Sequence, residues 1–159
     1  MKRKVIVMLD NEKISEEIMK NTLNKWFPIQ YFDIDIYNYE RVKRNFHIND
    51  IWMKERLPII IGVGIGAVYL ERVKNYDRKY LISPIWNETL KYNMFSDIDD
   101  YDKDNTFCFL GNNPKNKELY EIYTEHYPNT FNGITEGNLN IIEGLEFCGM
   151  FNFLLSKGK

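Results

Sequence analysis

Apolar runs alternate with segments of helical spacing along this chain. The β-branched run 4–9 predicts a buried strand, and the apolar positions in 14–27 recur on one face of a helix. Residues 32–36 alternate between apolar and acidic side chains, which predicts a half-buried strand at a sheet edge. Residues 58–63 are almost entirely apolar and predict a central strand, and helical spacing follows from 65 to about 76.

The second half of the chain continues this alternation. Further strands are predicted at 80–83, 106–110 and 130–135, and further helices at 48–56, 117–127 and 141–155. Residues 87–105 have no periodicity and are rich in acidic and aromatic side chains, which predicts an irregular insertion. The whole pattern predicts one α/β domain over residues 1–159: a parallel sheet of about six strands with helices on both faces, a three-layer sandwich.

Composition narrows the functional classes. The net charge is −2, so no overall positive field favours nucleic acid as a partner. The first apolar run ends at Asp10, too early for a signal peptide or a membrane span, so we expect a cytoplasmic protein that does not enter a membrane. Cys108 and Cys148 are then expected to be reduced, buried thiols. No spacing of cysteine and histidine indicates zinc, and we expect no cofactor.

A glycine-rich turn is the most informative motif. Residues 58–71 read PIIIGVGIGAVYLE, so a predicted strand passes through Gly62, Gly64 and Gly66 into a predicted helix. This matches the strand–turn–helix pattern G-x-S-x-G that presents a nucleophile, with Gly64 at the serine position. The same residues fit a dinucleotide fingerprint, Gly62-x-Gly64-x-x-Ala67, although the next predicted strand ends in Ser83-Pro84 rather than in an acid.

This element order, together with the turn, resembles the α/β-hydrolase superfamily, and in particular its short esterase-like members. The resemblance implies a local strand order of 2-1-3-4-5-6, and it puts 87–105 in the position of a cap. It also implies an oxyanion turn at Asp10-Asn11, an acid position at Asn112, and a histidine position at Leu139 or Asn138. Nucleophile, acid and base would all be absent from these positions, and acyl transfer needs all three roles.

The resemblance therefore implies a pseudoenzyme, a non-catalytic module that binds a protein partner or a small ligand or associates with itself. Its vestigial pocket would be formed by Asp10, Asn11, Gly64, Ile65, Asn112 and Leu139. Two other functional classes stay open. One is an active esterase whose nucleophile lies at a position other than 64. The candidates for that nucleophile are Ser83, Ser96 and Cys108. The other is a nucleotide-binding module built on the glycine turn.

Three other features of the sequence can be explained either by structure or by function. Asp100, Asp102 and Asp104 match the first positions of a calcium loop, but Asn105 and Gly111 replace its later glycine and glutamate, which favours a solvated acidic loop. His47 and His126 lie near predicted helix ends and are expected to be structural. The aromatic residues around 87–105 either hold that stretch against the body of the domain or form an apolar lip over the vestigial site or a partner surface, and the sequence favours neither.

Overall fold

In the computed structural model of the protein, the central element of the fold is a parallel β-sheet. The structure describes residues 2–10, 16–39, 57–85, 94–112 and 116–136. The strands in these ranges are β1 (Arg3–Leu9), β2 (Phe32–Asn38), β3 (Ile59–Val63), β4 (Arg78–Ile82), β5 (Thr106–Asn112) and β6 (Thr130–Glu136).

The strand order is β2-β1-β3-β4-β5-β6, and every neighbouring pair is parallel. This confirms the predicted sheet and its order. The alternating strand β2 is at an edge, as its half-polar pattern predicts. The apolar strand β3 is buried along its whole length between β1 and β4. Because all strands point the same way, their carboxyl ends form one edge of the sheet, where sites in such folds lie.

Four helices lie in the described residues. They are α1 (Glu16–Leu23), α2 (Ile65–Glu71), α3 (Asp100–Asn105) and α4 (Asn116–His126). The helix predicted from 65 ends at Glu71 rather than near Tyr76. The helices predicted at 48–56 and 141–155 lie outside the described residues.

The prediction of an irregular stretch through residue 105 is wrong for its last six residues, which form α3. A capping box explains this helix. The Asp99 side chain accepts a hydrogen bond from the Asp102 backbone at 2.8 Å, and the Asp102 side chain accepts one from the Asp99 backbone at 3.1 Å. The acidic residues that look like a solvated loop therefore supply the start of a helix. Residues 86–93 of the predicted insertion lie outside the described residues.

Helices cover both faces of the sheet, as predicted. On one face, α1 packs Met19 and Leu23 against side chains such as Val5 and Ile34. On the other, α2 and α4 pack Ala67 and Tyr123 into a second apolar cluster. No helix in the described ranges has the length and apolarity needed to cross a membrane.

Candidate functional site at the glycine turn

Gly64 lies at the carboxyl edge of the sheet, between the end of β3 and the start of α2. Its φ is 62° and its ψ is −124°, a positive-φ conformation that suits a sharp strand-to-helix turn and that glycine adopts readily. Hydrogen bonds to the end of β4 hold the turn in place. The Gly64 N–H donates to the Ile82 carbonyl at 3.0 Å, and the Ile85 N–H donates to the Gly64 carbonyl at 3.2 Å. A non-glycine residue would be strained in this conformation.

The Asp10 side chain fills the space that a side chain at position 64 would take. An ideal Cβ built on Gly64 would lie 2.8 Å from both Cβ and Oδ2 of Asp10. Asp10 comes directly after β1, which pairs with β3, so the sheet itself brings the two residues together. The place that the strand–turn–helix pattern would give to a side chain at position 64 is therefore occupied by the half-buried Asp10 side chain from the neighbouring strand.

Packing requires the two flanking glycines. A Cβ on Gly62 would lie 2.6 Å from the Cα of Ala67 in α2, and a Cβ on Gly66 would overlap the Met8 carbonyl of β1. Glycine at both positions lets α2 lie directly on the sheet. These two glycines are thus explained without a bound nucleotide. The strand β4 that follows ends at Ile82, and the next residue is Ser83 rather than an acid, so the nucleotide reading gains no support from the fold.

The structure brings together part of the predicted site. Asp10, Gly64 and Ile65 meet at the turn, and Ile65, the first residue of α2, is partly buried against the second apolar cluster. Asn112 ends β5 and pairs in register with Glu136 of β6, so it belongs to the same sheet edge. Asn11, Asn138 and Leu139 lie outside the described residues.

Two residues at the turn come from the segment after β4. Ser83 has a φ of 44°, donates its N–H to the Phe109 carbonyl at 2.7 Å, and is only 2% exposed. Ile85 is 36% exposed and is bonded to Gly64 through the backbone. Nothing in the local sequence pattern marks Ile85, because tertiary packing decides which apolar side chains stay in contact with solvent.

The other residues considered as a nucleophile or a base are either buried or distant from the turn at Gly64. Cys108 is fully buried inside β5, and this burial raises the pKa of its thiol well above the usual value, which disfavours the reactive thiolate. Ser96 follows Phe95, which stacks on His126 with ring centroids 4.3 Å apart. His126 ends α4, near the amino edge of the sheet and away from Gly64. His47 lies outside the described residues.

A buried ionic network at the amino edge was not predicted. Lys79 of β4 is 1% exposed and Glu71, the last residue of α2, is 2% exposed. The Lys79 ammonium donates to the backbone carbonyls of Glu71 at 2.5 Å and Val73 at 2.8 Å, and it lies 4.3 Å from the centroid of the Tyr76 ring. Burial lowers the pKa of Lys79 to about 8, although the nearby Glu71 and Asp102 carboxylates act in the opposite direction.

The Glu71 carboxylate joins the end of α2 to two segments that lie outside the helices and strands. One oxygen accepts the Phe95 N–H at 2.9 Å, and the other accepts the Tyr127 hydroxyl. Phe95 also packs edge-on against Tyr123 with centroids 5.1 Å apart. For Phe95, the structure therefore favours the reading in which the aromatic residues pin this stretch to the body.

Asp102 is also structural. It is 3% exposed, and its carboxylate accepts hydrogen bonds from the Lys74 ammonium and the Tyr76 hydroxyl. Burial alone would raise the pKa of Asp102, but these hydrogen bonds outweigh it and hold the pKa below its usual value. The expectation of a solvated acidic side chain is wrong here. Among the described residues, no group of three or more His, Cys, Asp or Glu side chains could hold a metal ion.

An open groove of about 390 Å³ lies beside the edge strand β2. Its lining includes Glu17, Lys20 and Asp35, so charges of both signs face it. Lys4 bridges the carboxylates of Asp33 and Asp35 at 2.8 and 2.9 Å, which partly neutralises the strand. The groove therefore selects no class of ligand by charge.

Comparison with known proteins supports the fold class. The fold is similar to a predicted CIB-like hydrolase from Thermoplasma acidophilum, with a TM-score of 0.57 and 14% sequence identity over 97% of this chain and 85% of that chain. No family model matches the sequence, and the search of curated proteins finds no match. At this identity the likeness concerns the fold: an α/β protein with a six-stranded parallel sheet and a hydrolase-like structural neighbour.

Proposed function

We propose that this chain is a catalytically inactive α/β-hydrolase-like protein that serves as a binding or assembly module for a small ligand or a protein partner. The observation that carries the proposal is the pairing of Gly64 with Asp10. The turn keeps the positive φ of a nucleophile elbow, while the place of the nucleophile is taken by the Asp10 side chain. An elbow of this shape with no hydroxyl or thiol of its own cannot form an acyl-enzyme.

Electrostatics at the turn also oppose acyl transfer. Such chemistry needs donors that stabilise a developing oxyanion beside the nucleophile. The Asp10 side chain occupies this place instead. An ionised carboxylate accepts hydrogen bonds and donates none, so Asp10 supplies no donor to a developing oxyanion.

The alternative, an esterase whose nucleophile lies at a position other than 64, is less well supported. Among the described candidates, Ser83 and Cys108 are buried and Ser96 belongs to the amino side of the sheet. Within the part of the chain that the structure describes, the nucleotide-binding alternative has no supporting feature beyond the glycine spacing itself.

The test is an ester hydrolysis assay with p-nitrophenyl acetate and p-nitrophenyl butyrate. We expect the wild-type protein to give no turnover above buffer, because the turn has no hydroxyl or thiol of its own. We expect Gly64→Ser to give none either, because the described residues bring no histidine to the turn and the neighbouring side chain is the Asp10 carboxylate. Saturable turnover that is lost in Ser83→Ala would overturn the proposal in favour of the esterase alternative. Gel filtration with light scattering over a range of concentrations, run on the same sample, tests self-association.

A further inference from the structure

Exposed apolar side chains gather along the amino edge of the sheet, the edge opposite the turn at Gly64. Of the six large apolar residues that are exposed in the described chain, four precede a strand at this edge: Ile29, Tyr31, Leu57 and Tyr101. Tyr31 is 61% exposed and Tyr101 is 44% exposed. Single exposed apolar residues are ordinary on a protein surface, whereas several on one edge indicate an interaction surface. We call these four residues the amino-edge surface.

Printed-out along the strands, this surface is continuous, because hydrogen bonds join its parts. The Tyr31 carbonyl accepts the Arg3 N–H at 2.9 Å, and the Arg3 guanidinium pairs with the Asp77 carboxylate at 3.1 Å. Asp77 donates its N–H to the Pro58 carbonyl at 2.8 Å, and its own carbonyl accepts the Tyr101 hydroxyl at 2.7 Å. The strand order β2-β1-β3-β4-β5 gives the surface a length of about 20 Å, with the start of β3 in its middle.

The two ends of the amino-edge surface carry opposite charge. At the β2 end, Lys2 lies directly before β1 and Lys25 lies in the turn that leads to β2, and both are exposed. At the β5 end, Asp100 and Asp104 of α3 are exposed, and Lys103 between them cancels only one of the two charges. The surface is therefore basic at one end, acidic at the other and apolar between them.

We infer that the amino-edge surface binds a second copy of the chain across a two-fold axis near Leu57. Such an axis brings the basic end of one copy to the acidic end of the other, so that both ends find opposite charge in the same contact. Tyr31 then packs on Tyr101 of the partner subunit, and Leu57 meets its own equivalent at the axis. This self-complementarity favours a second copy over an unrelated protein. The inference rests on the proposed binding or assembly function and names the partner for it.

The first experiment measures self-association of the full chain by sedimentation equilibrium, from micromolar to millimolar concentrations. We expect a reversible equilibrium between monomer and dimer. Tyr31→Ser and Leu57→Ser should each raise the dissociation constant at least tenfold, and their exposed positions make loss of the fold unlikely to interfere. Ile85→Ser is the matched control, because Ile85 is an exposed apolar residue at the carboxyl edge, and it should leave the dissociation constant unchanged.

The second experiment reverses charge at each end of the surface. Lys25→Glu puts acidic side chains at both ends, and Asp104→Lys puts basic side chains at both ends, so each variant alone should self-associate at least tenfold more weakly. A mixture of the two variants restores opposite charges at both contacts, and it should form a heterodimer with nearly the affinity of the wild type. Lys117→Glu, at the start of α4 on the carboxyl edge, is the matched control and should behave as the wild type.

Three outcomes would overturn the inference: a wild-type chain that stays monomeric at millimolar concentration, a dimer that tolerates both Tyr31→Ser and Leu57→Ser, or charge variants that do not associate when mixed. Such a failure can be told apart from failure of the proposed function. Ester turnover by the wild type refutes the pseudoenzyme proposal whether or not the chain dimerises. A monomeric chain without turnover refutes only the second copy as the partner.

Discussion

The Asp10 carboxylate lies directly against Gly64, at 2.8 Å from the position that a Cβ on this glycine would take. The two residues come from neighbouring strands and constrain each other. Glycine at position 64 is compatible both with the positive φ of the turn and with the Asp10 side chain. Removal of Asp10 would leave the first constraint and relieve the second.

This coupling predicts a non-additive pair of substitutions. Gly64→Ser should lower the free energy of unfolding by about 1–3 kcal/mol from backbone strain alone, with a further loss from overlap with Asp10. In the double variant Asp10→Gly/Gly64→Ser the overlap is absent, so part of the loss should be recovered. Urea unfolding of both single variants and the double variant gives the coupling energy, for which we expect about 0.5–3 kcal/mol.

The matched control is Asp33→Gly, which changes an exposed carboxylate of β2 distant from the turn. Its effect should add to that of Gly64→Ser, because the two sites share no partner. Simple additivity of Asp10→Gly with Gly64→Ser would show that the two side chains do not compete for one space.

Substitution of Lys79 should be among the more damaging changes. Lys79→Met removes the buried cation beside the Glu71 carboxylate and leaves two carbonyls at the end of α2 without their donor. A buried acceptor that loses its donor costs about 1–3 kcal/mol, and two carbonyls lose theirs here, so we expect a loss of about 2–4 kcal/mol. Chemical denaturation measures the loss. The exposed Lys103, changed to Met in the same way, should alter stability by less than about 0.5 kcal/mol.

The depressed pKa of Lys79 predicts an unusual rise of stability with pH. Its pKa is about 8 in the folded protein and 10.5 in its ordinary state, so between these values the unfolded chain binds more protons than the folded one. Stability therefore increases as pH passes through this window. We expect a gain of about 2 kcal/mol between about pH 7 and about pH 9.5, measured by urea unfolding at each pH.

The rise should stop near pH 10. Burial raises the pKa of Tyr76, Tyr80 and Tyr127 above the ordinary value of 10.0, so the unfolded chain releases these protons first and stability is lost as pH increases further. Lys79→Met should flatten the rise between pH 8 and 10 and keep the fall above it. A wild-type profile that declines steadily from pH 7 would contradict the assignment to Lys79.

Substitution of Asp102 distinguishes a structural role of this residue from a role in calcium binding. Asp102→Ala removes half of the capping box of α3 and the acceptor of the Lys74 and Tyr76 hydrogen bonds, so we expect a loss of about 2–4 kcal/mol. Calcium and EDTA should leave the melting temperature of the wild type equal. A rise with calcium that disappears in Asp102→Asn would show a metal site instead.

The nucleotide alternative is tested by thermal shift. A ligand present at about 100 times its dissociation constant stabilises the native state by about 2.7 kcal/mol. We expect NAD, NADP and ATP to leave the melting temperature unchanged. A shift with one of them would support nucleotide binding, provided that it is lost in a Gly64→Ala variant that still folds.

The sequence by itself determined the order and type of the main elements. The alternation of apolar runs with helical spacing was sufficient for a parallel sheet, because each crossover has only one favourable handedness and strands of this kind must be covered on both faces. The turn at Gly64 was also accessible from sequence. Its positive φ follows from local steric limits on a sharp strand-to-helix connection, where glycine is favoured.

Only the tertiary structure decided what surrounds that turn and which charges are buried. In the sequence, Asp10 marks only the end of a predicted strand. The pairing of β1 with β3 is what places its side chain next to Gly64. Lys79 and Asp102 have the local pattern of exposed charges, and α3 falls in a stretch without periodicity. Their burial depends on partners such as Glu71 at the end of α2 and Lys74 in the segment that joins α2 to β4. The depth of a side chain is set by such non-local neighbours rather than by its own segment.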